Sequence, residues 1–330
     1  MVNISKKLIA IPKIRVAVMG AGAVGGYLGA ILSRAGNDVT LVARGNHLEA
    51  IRARGLTIVS PESEFTVTLA ATDQPSSIGE VDLVLFTVKT YHNQEAIPRL
   101  QPLLSKETAV LTLQNGVESW QDLEAVLGKG RVIPGAMYIE AKVESPGVIA
   151  QRGNVYRIVL GETSGELSNR VDNIARILQH AGMPTEVSAD IQQVLWSKWL
   201  FITTLAGVTA ASRAELAELL AIPESRNLLV QVMREIEALG RKNGIDLGHD
   251  VVDRTLSYMN TEARDLKASM HTDLERGKPL ELEALNGAAI RFGKKLSVPT
   301  PANQVIYSLL KIHDLQYRAD LGINKSTPDT

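Results

Sequence analysis

The chain contains no cysteine, and that absence removes disulfides, thiolate metal sites and a cysteine nucleophile from consideration. Redox chemistry must therefore be borrowed from a bound cofactor. An excess of either charge is missing as well. The 35 Lys and Arg nearly balance the 36 Asp and Glu, so no overall field recruits nucleic acid or an anionic membrane surface. The six histidines show no HExxH pattern and no close pair, which leaves a metal site without support. A GxSxG nucleophile elbow is absent too. No long apolar run stands uninterrupted. The N-terminal stretch is broken by Pro12, Lys13 and Arg15 before a signal-peptide core forms, and Val194 to Ala211 carries Ser197, Lys198 and threonines, short of an uninterrupted membrane span. The expectation is a cytoplasmic protein with neither a membrane nor a nucleic-acid partner.

What is present is enough chain for two domains, 330 residues being too many for one typical core. From Ile14 to Met19 an apolar run closed by Gly20 fits a strand buried on both faces of a parallel sheet. A helix follows through about Ala35, Gly36-Asn37 ends it, and Val39 to Ala43 makes a second strand. Val81 to Val88 and Ala109 to Leu113 read as further buried strands. Strands alternating with helices predict an α/β domain with a Rossmann-type, doubly wound parallel sheet. Beyond Pro184 the segments are long and helix-like, punctuated by Pro223, Gly244, Gly277 and Pro299. The expected division is a dinucleotide-binding domain over 1–184, ordered from 13 onward, and a mostly α-helical substrate domain over 185–330. The tail from about Gly322 reads as disordered.

The first chemical signal is Gly20-Ala21-Gly22-Ala23-Val24-Gly25. GxGxxG alone is weak, but here it follows an apolar strand, opens a helix and lies in a crossover unit of the right length. Gly20 permits the tight turn, Gly22 lets the backbone approach a pyrophosphate, and Gly25 lets helix pack closely on strand. Where NAD-selective loops place an acidic residue, about 20 residues on, this chain has Arg44. A guanidinium pairs with a 2′-phosphate that a carboxylate would repel, so NADP(H) is the expected cofactor. A solvated surface arginine is the bland alternative.

Lys89 and Asn115 each follow a strand and so stand where ligands of open α/β sheets gather. An exposed strand-end lysine and an Asn-Gly turn are the mundane readings. Lys198 lies between Trp196 and Trp199 in a helix apolar on nearly every side. Desolvation lowers a lysine's pKa and makes it a usable proton donor, as hydride reduction of a ketone requires. A stem packed on tryptophan with its ammonium reaching water is the alternative. Glu281 and Glu283 sit among apolar positions of one segment, and the residues alone do not choose between them.

Together the GAGAVGG loop, the arginine of LVARG, the lysine of FTVKT, the QNG segment, the WSKW lysine and the late ASMHTDLERGKPLELEALNG pattern resemble the ketopantoate reductase family, from Ile14 to about Lys311. The resemblance implies that Lys198 donates the proton to the substrate carbonyl oxygen while hydride arrives from the nicotinamide. It also implies that Lys89 and Asn115 bind cofactor and substrate, that Ala141 lines the cofactor, and that Ser269 holds the substrate carboxylate. Glu281 is assigned to the nicotinamide ribose and to positioning Lys198. One departure stands out. Members of that family usually carry substrate-binding asparagines four and eight residues after the lysine, where this chain has Ile202 and Ala206. Thr203 and Thr204 point elsewhere on a helix.

The expected function is reduction of a 2-oxo acid, 2-dehydropantoate to (R)-pantoate in pantothenate synthesis, by an NADP-dependent oxidoreductase. A related dehydrogenase for a more apolar 2-oxo acid is the alternative within the class. A non-catalytic NADP-sensing protein is the alternative from another class, and Lys198 with Glu281 argues against it. A homodimer is compatible with a helical second domain.

Overall fold

A computed structural model describes residues 12–320. The N-terminal extension and the tail expected from Gly322 lie outside the described residues. Among the described residues ten strands form one mixed sheet, dominated by parallel pairs. They are β1 (Arg15–Met19), β2 (Asp38–Val42), β3 (Leu56–Val59), β4 (Glu64–Val67), β5 (Ala70–Thr72), β6 (Val81–Phe86), β7 (Leu104–Thr112), β8 (Val132–Ser145), β9 (Val148–Leu160) and β10 (Thr185–Val187). The order is β4-β3-β9-β8-β7-β6-β1-β2-β5, with β10 beside β9.

The apolar run that reads as a doubly covered strand is one: Val16, Ala17, Val18 and Met19 of β1 are all buried. β1 lies between β2 and β6, the position where chain order reverses and where ligands of such sheets bind. Register then fixes the site. Met19 is level with Val42 and Phe86, and Phe86 with Thr112, so the residues that follow all leave from the same edge. Those residues are the glycine loop, Ala43-Arg44, Thr87 to Lys89, and Leu113 to Asn115.

The expectation of a parallel sheet needs one extension. β8 and β9 form a long antiparallel hairpin, and β3 and β4 a short one. Only the first residues of β8, Val132 to Pro134, pair with β7 in parallel, before the strand runs on beyond the sheet's carboxyl edge. Helices α1 (Ala23–Arg34) and α2 (Gly45–Arg54) follow β1 and β2, the short α3 (Asn93–Ala96) follows β6, α4 (Ser119–Leu127) follows β7, and α5 (Asn169–His180) follows β9.

The chain separates into two compact units. The first runs to Gln114 and from Trp120 to Ile191; the second takes Asn115–Ser119 and everything described from Gln192 on. These units differ from the expected division at 184 in two respects. β10 still pairs with β9, so the first unit extends past Pro184. The loop Asn115–Ser119 also groups with the second unit, although the residues on both sides of it belong to the first.

The second unit is helical: α6 (Ile191–Ser212), α7 (Leu216–Ala221), α8 (Pro223–Lys242), α9 (Val251–Thr261), α10 (Ser269–Glu275), α11 (Ala288–Leu296) and α12 (Pro301–Asp320). α6 departs from its sequence reading. It is an unbroken helix of 22 residues, long and apolar enough to cross a membrane by length and composition. Its apolar residues are nevertheless inside the protein: Trp196, Trp199, Leu200, Leu205, Ala206, Val208 and Ala210 are all buried. A helix that is apolar all round needs cover on every side, and here the protein supplies much of it.

Candidate active site

The turn at the end of β1 is built as its glycines suggest. Gly20 has φ +104°, and a Cβ there would lie 2.8 Å from the backbone nitrogen of Val88. Gly25 packs tighter still: a Cβ would meet the Gly20 carbonyl at 2.2 Å and Thr87 Oγ1 at 2.3 Å. Gly22 is different. A Cβ at Gly22 would meet no atom within 4 Å, so the glycine there leaves the outer face of the loop bare. The first bond of α1 runs from Gly26 N to Gly22 O at 2.7 Å, and Gly22 provides no side-chain cap. The N–H groups of Ala23, Val24 and Gly25 precede that bond and form a bare cradle at the positive end of the helix. These features fit the pyrophosphate of a dinucleotide.

A residue not singled out from sequence holds the loop in place. His47 Nε2 lies 2.9 Å from the Ala21 carbonyl, and the Gly147 N–H donates to His47 Nδ1 at 3.0 Å. Nδ1 is thus the acceptor, which puts the proton on Nε2 and makes the ring a neutral bridge from the glycine loop to the β8–β9 turn. Burial pushes the imidazole below its ordinary range, against the opposing effect of the Ala21 carbonyl. In a trans peptide the carbonyl and the next N–H point opposite ways, so tying down the Ala21 carbonyl turns the Gly22 N–H away from His47. No pattern in the sequence marks His47 for this.

Arg44 caps the start of α2 at the carboxyl end of β2 and is half exposed, its guanidinium facing both carboxylate oxygens of Glu95. Lys89 is half-buried and follows Val88, the residue that packs on Gly20. Gln114 donates to the Val88 carbonyl at 2.7 Å and to Asn93 Oδ1 at 2.6 Å, which anchors the chain just before Asn115. Ala141 lies on β8 beyond Pro134, packed against the core of the first unit.

In the second unit, Lys198 is flanked by two buried indoles whose rings meet edge-on at 5.0 Å, with Phe292 closing the cluster at 5.1 and 6.0 Å. Burial lowers the Lys198 ammonium to about 8, while the nearby carboxylate of Glu281 acts in the opposite sense. Glu281 is itself only 5% exposed. Its turn is fixed to α6 by Trp199, whose Nε1–H donates to the Ala284 carbonyl at 3.1 Å. On the other side of that turn Leu280 N donates to the buried Asp314 at 2.9 Å.

Glu283 serves a different purpose. Burial would raise its carboxyl, but hydrogen bonds from Lys311 and Tyr307 and the nearby Arg291 outweigh it and hold the group below the usual range. Arg291 also donates to Glu118 at 2.6 Å. Together with Gly116, where a Cβ would come within 3.0 Å of the Ala284 carbonyl, this contact brings the Asn115 loop against the Glu281 turn. Lys198, Glu281 and the Asn115 loop are therefore tied to one structural knot. Ser269 stands exposed at the first residue of α10. Ile202 is half-buried and Ala206 fully buried; Thr203 and Thr204 are completely enclosed, and Thr204 Oγ1 is turned back onto the Leu200 carbonyl at 2.8 Å.

The first unit carries a glycine cradle at the switch point of a parallel sheet, and the helical unit a half-buried lysine near a buried carboxylate, features that fit an oxidoreductase using a nicotinamide cofactor on a small molecule. Residues 16–165 match the family described as ketopantoate reductase PanE/ApbA, and residues 190–314 match its C-terminal domain. This chain belongs to the ketopantoate reductase family, whose members act as oxidoreductases on CH–OH groups. The 2-dehydropantoate 2-reductase of Mesorhizobium japonicum is 33% identical over 318 residues, covering 90% of this chain and 97% of its own. The enzyme of that name from Archaeoglobus fulgidus is 31% identical, with coverage of 90% and 97%. Among solved structures, the PanE/ApbA family ketopantoate reductase of Ralstonia eutropha JMP134 superposes with a TM-score of 0.84 at 34% identity, over 92% of this chain and 99% of its own. D-Mandelate dehydrogenase shares the fold at 23% identity, TM-score 0.85, over 92% and 99%.

Proposed function

We propose that this protein reduces a 2-oxo acid with NADPH, and that 2-dehydropantoate, yielding (R)-pantoate, is its substrate. The observation that carries the reading is Lys198: a half-buried ammonium on an apolar helix, lowered by desolvation to about 8 and countered by the buried carboxylate of Glu281. An acid of that strength remains protonated at neutral pH and releases its proton readily as charge develops on a carbonyl oxygen. NADPH, when bound, supplies the hydride.

The chain's own residues do the rest. Gly22 and the first turn of α1 hold the pyrophosphate, Arg44 pairs with the 2′-phosphate, and Lys89 and Ala141 complete the cofactor contacts. Asn115 orients the carbonyl, Ser269 takes the carboxylate, and Glu281 keeps Lys198 aimed and charged. The relatives named 2-dehydropantoate 2-reductase support the choice of substrate.

A second reading, a more apolar 2-oxo acid, rests on Ile202 and Ala206. A hydroxyl facing these side chains would lose hydrogen bonds that asparagines supply, and such losses discriminate strongly. The test is a panel of 2-oxo acids with NADPH, followed at the nicotinamide absorbance. Turnover of 2-dehydropantoate at least ten times better than that of branched apolar 2-oxo acids supports the first reading. The reverse order overturns it.

A further inference from the structure

The Arg44 guanidinium that would receive a 2′-phosphate already has a carboxylate on it. NH1 lies 3.3 Å from Glu95 Oε2, and NH2 bonds Glu95 Oε1, which is the two-pronged geometry a phosphate would use. Arg44 also pairs the Glu95 carboxyl into its ionised form, holding it below the usual range against the smaller effect of burial. Two further cations stand by. His92 Nδ1 is 3.8 Å from Oε2, and Arg99 NH1 is 3.9 Å from Oε1. Both partners of the pair are about half exposed, so a ligand can reach either of them.

We propose that Glu95 sets the cofactor preference of this protein by competing with the 2′-phosphate for Arg44. A phosphate arriving at Arg44 must displace this carboxylate or stand beside it as a like charge, and both cost NADPH affinity. His92 and Arg99 give the displaced carboxylate a place to go, which keeps the exchange feasible. NADH, which has no phosphate there, would leave the pair intact, with the Glu95 carboxylate placed to accept a hydrogen bond from a ribose hydroxyl. Glu95 therefore narrows the margin by which Arg44 favours NADPH.

The inference rests on the reading that Arg44 faces the 2′-phosphate, and a double-mutant cycle on the intact protein separates the two. Dissociation constants for NADPH and NADH are measured by nicotinamide fluorescence without substrate, for wild type, Glu95→Gln, Arg44→Ala and the double variant. Glu95→Gln is expected to tighten NADPH by about threefold to tenfold while moving NADH less than about twofold, with the gain shrinking as salt is raised. In the Arg44→Ala background that gain should largely vanish. If Arg44→Ala leaves the NADPH-to-NADH ratio unchanged, the reading of Arg44 fails and the inference with it. If Arg44→Ala weakens NADPH selectively but Glu95→Gln does not shift the ratio, only the inference is overturned. Glu95→Asp, which keeps the charge, should stay near wild type; an NADPH gain there equal to that of Glu95→Gln would also overturn it.

Discussion

The indole of Trp199 donates its N–H to the carbonyl of Ala284 at 3.1 Å, so the helix carrying Lys198 and the turn carrying Glu281 are joined by the residue next to the lysine itself. This bond ties the backbone of the turn that carries Glu281 to the helix that carries Lys198. Trp199→Phe removes the donor and part of the packing. The expected cost is about 1–3 kcal/mol in denaturant unfolding. Because the Glu281 turn is then less firmly placed, kcat should fall more than KM rises. An unchanged kcat in a folded variant would show that the bond serves stability alone.

The Lys198 ammonium sets a pH limit. Reduction needs it protonated, so kcat/KM should fall as pH rises through about 8, and the reverse oxidation should gain over the same interval. Since the Glu281 carboxylate acts to raise that value, Glu281→Gln should move the break to lower pH. Lys198→Ala should lower kcat by on the order of 10²–10⁴ with cofactor affinity retained. A pH profile of Glu281→Gln identical to wild type would remove Glu281 from this role.

The same lysine affects stability in a defined direction. Its folded value lies below the ordinary 10.5, so between about 8 and 10.5 the unfolded chain binds more protons and stability from this group rises with pH. At neutral pH the buried charge is a cost. Lys198→Met should therefore raise Tm at pH 7 while abolishing turnover, a site residue held at the expense of the fold. A lower Tm for Lys198→Met would contradict this.

Substitutions at Gly22 and Gly25 of the loop should fail differently. Gly25→Ala puts a methyl 2.2 Å from the Gly20 carbonyl and must displace backbone, so loss of folded protein is expected. Gly22→Ala meets nothing in the protein, and on the proposed cofactor reading its methyl would stand where the pyrophosphate binds. Its Tm should match wild type within about 0.5 kcal/mol of stability, with cofactor affinity down tenfold or more. Wild-type affinity in Gly22→Ala would place the pyrophosphate elsewhere.

His47 is expected to link cofactor binding to acid stability. Its folded value is lowered, so the stability it gives is complete above the ordinary 6.5 and is lost as pH falls through the folded value. His47→Phe removes the bonds to Ala21 and Gly147, at an expected cost of about 1–3 kcal/mol. The variant should lose that part of the acid dependence below pH 6.5 and bind NADPH more weakly. Equal acid slopes for variant and wild type would assign the dependence to another group.

Much of this was legible in the chain because the relevant signals are local. A buried parallel strand must be continuously apolar, and a tight turn beneath a helix must be glycine, so β1, its loop and α1 follow from adjacent residues. Lys198 stands out for the same reason: a charge between tryptophans is conspicuous in one dimension. The antiparallel course of β8 and β9 was not legible, since strand direction depends on which neighbour is reached and not on composition. The apolar length of α6 is a property of its sequence, but whether water, lipid or protein covers it is a property of its neighbours.

The sequence by itself marked the glycine loop of a dinucleotide site and singled out Lys198 as the candidate proton donor, because backbone conformation and local hydrophobicity are set within a few residues. The residues alone left Glu281 and Glu283 open and the family resemblance pointed to Glu281; the tertiary structure gives the physical difference, with Lys198 near Glu281 and with Lys311 and Tyr307 on Glu283. It alone brought Glu95 onto Arg44, 51 residues apart in the chain, and His47 under Ala21. Charges and hydrogen bonds act through space, and their partners are chosen by strand order and register.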